Sequence, residues 1–271
     1  HHPHVSLDIG QVVFTDVTTM TADGPFQHGL HLLTGNKWCN ADVENETGSG
    51  IVPFRFSRGN VAHSVQWAIG LELALLVKDP WRVYMTTDHP NAGPFTAYPR
   101  VIAWLTSRKA RERTMAKVVP RAMKRCELPS IDREYLLSEV AIVTRAGTAK
   151  ALGLRNKGHL GVGADADIAV YEFNPRQLDS ARDYRKLRCA LRRAAYTVKD
   201  GSLVAKNGEI LRQPTGRTFW TRVDVDDDLR RATMKRVASS FEQYYTVRLG
   251  NYAIREDELA VSAPLDVEAT V

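Results

Sequence analysis

Residues 82–94 read Arg-Val-Tyr-Met-Thr-Thr-Asp-His-Pro-Asn-Ala-Gly-Pro. A β-branched and aromatic run, Arg82 to Thr86, stops at Asp88 and passes at once into a Pro, Asn and Gly turn. A barrel strand delivers a carboxylate to its mouth in this way: the strand fixes the side chain while the loop after it is free to vary. An Asp so placed is a hard oxygen ligand for a divalent cation, or a base for water bound to one. Asp followed by His-Pro-Asn is also ordinary turn chemistry, and the stretch alone leaves both readings open.

Upstream of this stretch, Val61, Val65, Ala68, Ile69, Leu73, Leu76 and Val77 recur at helical spacing, with Asp79-Pro80 as the stop. Val5 to Asp8 and Val12 to Phe14 read as short strands. Residues 15–60 are rich in Gly, Thr and Asn and show little periodicity, the pattern of a functional loop or interface insertion. Downstream, residues 97–107 predict a helix with Pro99 in its first turn, where a missing N–H costs little. A basic helix over 108–124 follows, then helical pieces over 136–146 and 148–152, the second closed by Gly153. The period then shortens. A Gly/Asp-rich connection, 157–167, leads into a strand at Ile168 to Phe173. Residues 195–210 alternate strand-like runs with Asp200-Gly201 and Asn207-Gly208, the dipeptides of tight hairpin turns. An acidic cluster (Asp224, Asp226, Asp227, Asp228) and an amphipathic helix near Leu229 to Tyr245 close the pattern.

The 271 residues are 44% hydrophobic and 25% charged, a globular composition long enough to bury a core. The net charge of +6 is spread along the chain and interleaved with acids, which favours an acidic small molecule or an acidic partner protein over nucleic acid. Cys39, Cys126 and Cys189 lie far apart, without the spacing of a zinc site or a disulfide framework, so a reducing cytoplasmic setting is expected. No apolar run is long enough to span a bilayer, so no membrane partner is expected. The opening His1-His2-Pro3-His4, without an initiator Met and directly before a strand, suggests a chain that begins inside a domain.

Thr148 to Leu154, Lys157 to Asp167, the strand after it and the hairpin through Glu209 resemble the C-terminal half of the amidohydrolase superfamily. Further segments resemble the A subunits of formylmethanofuran dehydrogenases and their counterparts in the formyltransferase/hydrolase complex. They are Asp8-Ile9-Gly10-Gln11-Val12, Thr18 to Pro25, Gln66 to Ala74, Asp79 to Arg82, Thr86 to Asn91, Gly93 to Thr96 and Tyr98-Pro99-Arg100. The resemblance implies an α/β fold: strands seven and eight of a metal-dependent (β/α)8 barrel plus a small β-sandwich, with the earlier strands outside this chain. On that reading 1–147 is barrel with a long insertion, 148–212 is sandwich and 213–271 is a helical extension with a tail.

The resemblance also implies a binuclear zinc centre that hydrolyses, or in reverse forms, N-formylmethanofuran, giving formate and methanofuran. Its ligands would be an H-x-H pair, a carboxylated lysine, two further histidines and a strand-eight Asp. Asp88 matches that Asp, as metal ligand and proton shuttle. The remaining ligands would lie outside this chain, which alone is expected to hold no binuclear zinc and to hydrolyse nothing. His2-Pro3-His4 has H-x-H spacing but precedes its strand; His28, His31, His63 and His159 read as loop or structural residues. His89, Asn91, Gln11 and Arg100 are substrate-binding candidates, and Arg55, Arg58, Arg82 and Arg100 could steer a glutamate-rich methanofuran tail. The implied partners are the other subunits of such a complex. Two alternatives stand: a dihydroorotase- or hydantoinase-like zinc amidohydrolase, and a non-catalytic assembly piece.

Overall fold

The computed structural model describes residues 4–21, 50–216, 221–244 and 265–268, which form a mixed α/β chain. It divides into two compact units, His1–Thr19 with Pro53–Pro214, and Met20–Val52 with Thr215–Val271.

The first unit is organised around two short parallel strands, β1 (Leu7–Asp8) and β4 (Val83–Tyr84), in the register Leu7 to Val83 and Asp8 to Tyr84. Backbone bonding continues past the strands, from Gln11 N to Thr86 O at 2.8 Å and from Val13 N to Ala92 O at 2.9 Å. Val12 to Phe14, expected as a strand, is therefore extended chain paired to a loop instead of to a strand. Within the region expected to be irregular, β2 (Asp16–Thr21) pairs with β3 (Gly50–Arg55), both runs carrying β-branched residues, which favour extended backbone.

Helix α1 (Val61–Leu76) leads towards β4. Asn60 caps its start, its side-chain oxygen accepting from His63 N at 3.2 Å. It buries Trp67, Ala68, Leu71, Ala74 and Leu75, while Ile69, Leu73 and Leu76 of the predicted apolar face are exposed. Trp67 meets Phe14 at 5.7 Å and the edge of Trp104 at 5.5 Å between ring centroids. The C-terminal carbonyls of α1 and its exit are gathered by the Arg133 guanidinium, which donates to Leu75 O, Val77 O and Lys78 O. Glu139 at 2.6 Å and the Tyr135 ring at 4.8 Å hold that guanidinium, and Tyr135 OH donates to Ala74 O at 2.6 Å. Asp79 then caps the turn Pro80–Arg82, which drops the chain into β4.

After α2 (Tyr98–Thr106), the expected basic helix breaks into α3 (Arg108–Met115) and α4 (Pro120–Met123). Pro120 is the reason: the residue before proline is pushed to extended backbone, and Val119 sits at ψ 121°. The side chain of Arg111 is buried and donates to Trp104 O, Ile131 O and Arg133 O, tying α3 to the segment that carries Arg133. Burial lowers its pKa to about 10. The helical pieces α5 (Leu137–Ala141) and α6 (Gly147–Ala151) are joined by a π-helical turn, Ile142–Ala146, whose Val143 O accepts from Met85 N.

An antiparallel sheet follows, in the order β5 (Ile168–Val170), β6 (Tyr196–Lys199), β7 (Ser202–Lys206), β8 (Glu209–Ile210), with α7 (Tyr184–Ala190) between the first two strands. Both expected turns form, with positive φ at Asp200 and Gly201 and at Asn207 and Gly208. In the second unit, β9 (Thr221–Asp224) pairs in parallel with β10 (Leu265–Glu268), and α8 (Asp227–Tyr244) starts on Asp227 and Asp228, where the helix dipole favours acids. Among the described residues no helix is long and apolar enough to cross a membrane.

The lead-in to β5 is pinned by charge. Lys157 Nζ donates to Asp165 and Asp167, both at 2.7 Å, and Asp167 also accepts from Lys199 Nζ at 2.8 Å and Asp200 N at 3.0 Å. Lys157 first, then Lys199, holds the Asp167 carboxyl well below the usual carboxylate range. A depressed carboxylate contributes stability above its ordinary pKa that is lost as pH falls through the folded value. Asp167→Asn is therefore expected to cost about 1 kcal/mol at neutral pH. The gap between wild type and variant in urea midpoints should close as the pH is taken below the ordinary carboxylate range. A gap that widens on acidification contradicts the assignment.

Candidate active site at the paired strand ends

The strands β1 and β4 run in parallel, so their C-terminal ends open on the same side, and each leads to an aspartate. In the segment after β4, Met85 and Thr87 are buried while Asp88 is exposed. Asp88 adopts φ +44°, a left-handed conformation uncommon outside glycine but within reach of Asp. Four bonds hold the turn: Asp88 N donates to Thr86 Oγ1 at 3.4 Å, Asn91 Nδ2 donates to Asp88 Oδ2 at 3.1 Å, Asn91 N donates to Asp88 O at 2.5 Å, and Ala92 N donates to Thr87 O at 3.1 Å. The carboxylate is thus steered through Oδ2, and Oδ1 carries no hydrogen bond to the described residues.

Asp8 stands beside it. Its Oδ1 accepts from Thr86 Oγ1 and, at 3.0 Å, from Gly10 N. A Cβ placed on Gly10 would lie 3.9 Å from Asp88 Cβ, which measures how closely the two turns approach. Tyr98, opening α2, has its pKa pushed up by burial and then by the charge of Asp8. Asp8, Thr86 and Tyr98 adjoin the Asp88 turn; they lie within the family-like strings but are not among the candidates named from the sequence. The available signal is that Val5 to Asp8 and Arg82 to Asp88 are both short strand-like runs ending on an aspartate.

Of the substrate-binding candidates, Asn91 and His89 belong to the Asp88 turn. His89 Nδ1 accepts from Phe95 N at 3.3 Å, and its ring meets Phe95 edge-on at 5.0 Å. Gln11 is placed differently: it is fully buried, and Nε2 donates to Val12 O and Trp67 O, both at 2.9 Å. So placed, it locks α1 to the chain leaving β1 and does not reach a ligand at the mouth. Arg100 is half-buried; burial and then the neighbouring charges of Arg188, Arg58 and Arg192 lower its pKa, so four guanidinium groups share one region. Arg58 also lies over the Phe14 ring. Arg55 is paired with Asp16 at 2.6 Å and Arg82 Nε donates to Val5 O at 2.8 Å, so both are engaged in structure.

The histidines divide similarly. His63 Nδ1 accepts from Ser57 N, its ring is wedged against Phe54 and Phe56, and burial lowers its pKa. His159 Nδ1 accepts from Gly161 N, which leaves Nε2 to donate to Arg155 O. His2, His28, His31 and Cys39 lie outside the described residues. Among the described residues no three His, Cys, Asp or Glu side chains converge on a metal position. An exposed carboxylate with one oxygen steered by an amide and the other open suits one coordination position of a divalent cation.

Comparisons with known proteins agree with this architecture. Residues 1–205 match the Amidohydrolase family. Protein FwdA of Methanocaldococcus jannaschii is 46% identical over 269 residues, 98% of this chain and 47% of that protein. The A component of the formyltransferase/hydrolase complex Fhc of Methylorubrum extorquens is 37% identical over 254 residues, 93% of this chain and 44% of that protein. The crystal structure of the formyltransferase/hydrolase complex FhcABCD from Methylorubrum extorquens, in complex with methylofuran, aligns with a TM-score of 0.73 at 34% identity, covering 99% of this chain and 47% of that one. The chain spans about half the length of the relatives it matches.

The Gln11 lock can be tested by stability. A Cβ at Gly70 would sit 2.5 Å from Gln11 Oε1 and 3.1 Å from Cδ. Alanine in a helix gains about 1 kcal/mol over glycine. Displacing Gln11 from two buried carbonyls costs about 1–3 kcal/mol for each one left unpaired. Gly70→Ala is therefore expected to destabilise by about 1–5 kcal/mol in urea unfolding; a stabilised variant would show that Gln11 is not held.

Proposed function

The chain belongs to the amidohydrolase family, and from that premise we propose that it is the C-terminal portion of the formylmethanofuran-hydrolysing component of a larger complex. In this reading it contributes the last two barrel strands (1–147), a β-sandwich segment (148–212) and a helical extension (213–271). The observation that carries the reading is Asp88: an exposed carboxylate in a left-handed turn at a parallel strand end, in a chain 46% identical to Protein FwdA.

The reaction is hydrolysis of an N-formyl amide: water oxygen bonds to the formyl carbon, the C–N bond breaks, and a proton goes to the departing nitrogen. Two zinc ions, when bound, would acidify the attacking water and polarise the formyl oxygen. Asp88 would supply one ligand, and the others would come from residues outside this chain. The Asp88 carboxylate would also take the proton from water and return it to nitrogen, while Asn91 holds Oδ2 and keeps the carboxylate from rotating away. His89, beside it, contacts the bound substrate. Formate and the free amine leave.

Partners follow from the same reading. The crystallised complex with methylofuran supports placement among other subunits of a formyltransferase/hydrolase or dehydrogenase assembly. Arg100, with Arg58, Arg188 and Arg192, offers the positive region that an acidic methanofuran tail would seek. Cys126 and Cys189 are free thiols, which suits the cytoplasm.

Three experiments test this. In the full-length protein within its complex, Asp88→Asn is expected to lower kcat at least about 100-fold and to reduce bound zinc. The 271-residue chain produced alone is expected to carry no stoichiometric zinc by metal analysis. Full activity of Asp88→Asn contradicts the catalytic reading and favours an assembly role. Arg100→Gln is expected to raise KM about tenfold at low salt with kcat little changed, the difference shrinking as ionic strength rises; a KM unaffected at low salt removes Arg100 from tail binding.

A further inference from the structure

The mouth carries a second carboxylate that the proposed reaction does not use. Asp8 is exposed and stands at the end of the strand next to the one leading to Asp88. Its link to Asp88 goes through one intermediary. Thr86 Oγ1 donates its single proton to Asp8 Oδ1, which turns a lone pair of the same hydroxyl towards Asp88 N. That amide belongs to the residue at φ +44°, so the hydroxyl helps hold the one backbone conformation in this turn that an L-residue adopts reluctantly. Gly10 N donates to the same Asp8 oxygen at 3.0 Å and fixes it from the other side.

We propose that Asp8 is a positioning residue for Asp88, acting through the hydroxyl of Thr86. The relay Asp8–Thr86–Asp88 joins the ends of two parallel strands: the acceptor on β1 orients the hydroxyl, the hydroxyl orients the Asp88 amide, and the amide sets the direction of the carboxylate. Partners that orient a metal ligand without touching the metal commonly matter for metal affinity and activity at about the 10–100-fold level. The inference rests on the reading of Asp88 as a metal ligand given above. It adds that the left-handed turn is set from the neighbouring strand and not by its own loop alone.

The test uses the full-length protein in its complex, with two readouts: zinc retained after dialysis against a chelator, and kcat separately from KM. Thr86→Val keeps the shape and removes the hydroxyl; Asp8→Ala removes the acceptor. Each is expected to lower zinc retention and kcat about tenfold with KM little changed, and the double variant is expected to fall no further than either single one, because both act on the same contact. Thr86→Ser is expected to recover most of the loss. Should Asp8→Ala fail to fold, Asp8→Asn, which keeps an acceptor oxygen, serves with Thr86→Val and is expected to lose less than Thr86→Val does. Native zinc retention and kcat in Thr86→Val, with Asp88→Asn inactive, overturns the relay and leaves the function standing. Losses that add in the double variant also overturn it. An active Asp88→Asn overturns the function itself.

Discussion

The pairing of Leu7 with Val83 and Asp8 with Tyr84 is the constraint on which the candidate site depends. Two ladder positions are too few to be stable alone. They persist because α1 lies between the strands in sequence and packs Trp67, Leu71, Ala74 and Leu75 into the core, the larger of these side chains gaining about 1.5–3 kcal/mol each on burial. The Arg133 guanidinium then takes the carbonyls at the end of α1, so the chain enters β4 at a fixed place. Arg111 anchors the segment that carries Arg133. These guanidinium contacts thus help set the register that brings Asp8 and Asp88 together.

Local signals explain why so much of this is readable in the chain. Helix α1 follows the apolar spacing from Val61 and stops beside Asp79-Pro80, and the hairpin turns form at Asp200-Gly201 and Asn207-Gly208, where positive φ is cheapest. The break between α3 and α4 is also written in the chain, at Val119-Pro120, but basic periodicity masks it. Residues 15–21 and 50–55 lack apolar alternation and so do not declare themselves as strands; their pairing depends on a partner some thirty-five residues away. The same limit applies to the site. Asp88 can be found from one stretch, because strand, stop and turn are contiguous there. Asp8 cannot, since its relation to Thr86 exists only across the strand pair, and Gln11, polar and inside a family-like string, gives no sign that its amide is spent on Val12 and Trp67.

The division of labour between the charged groups follows from which of them have their polar atoms satisfied within the fold. Arg111 and Arg133 spend their donors on main-chain oxygens, and Lys157 and Asp167 satisfy one another, so these hold structure. Asp88 keeps one oxygen without a hydrogen bond among the described residues, and Arg100 sits among like charges, arrangements that cost stability unless a ligand completes them. That contrast separates the groups proposed to act from those that hold the fold.

The most direct measurement is a crystal structure of the full-length protein with data collected at the zinc absorption edge. Anomalous density is expected at the C-terminal ends of β1 and β4, with a carboxylate oxygen of Asp88 at about 2.0–2.2 Å from one zinc ion. Zinc ions fully ligated by other residues, with Asp88 turned into solvent or held in a purely structural contact, would contradict it.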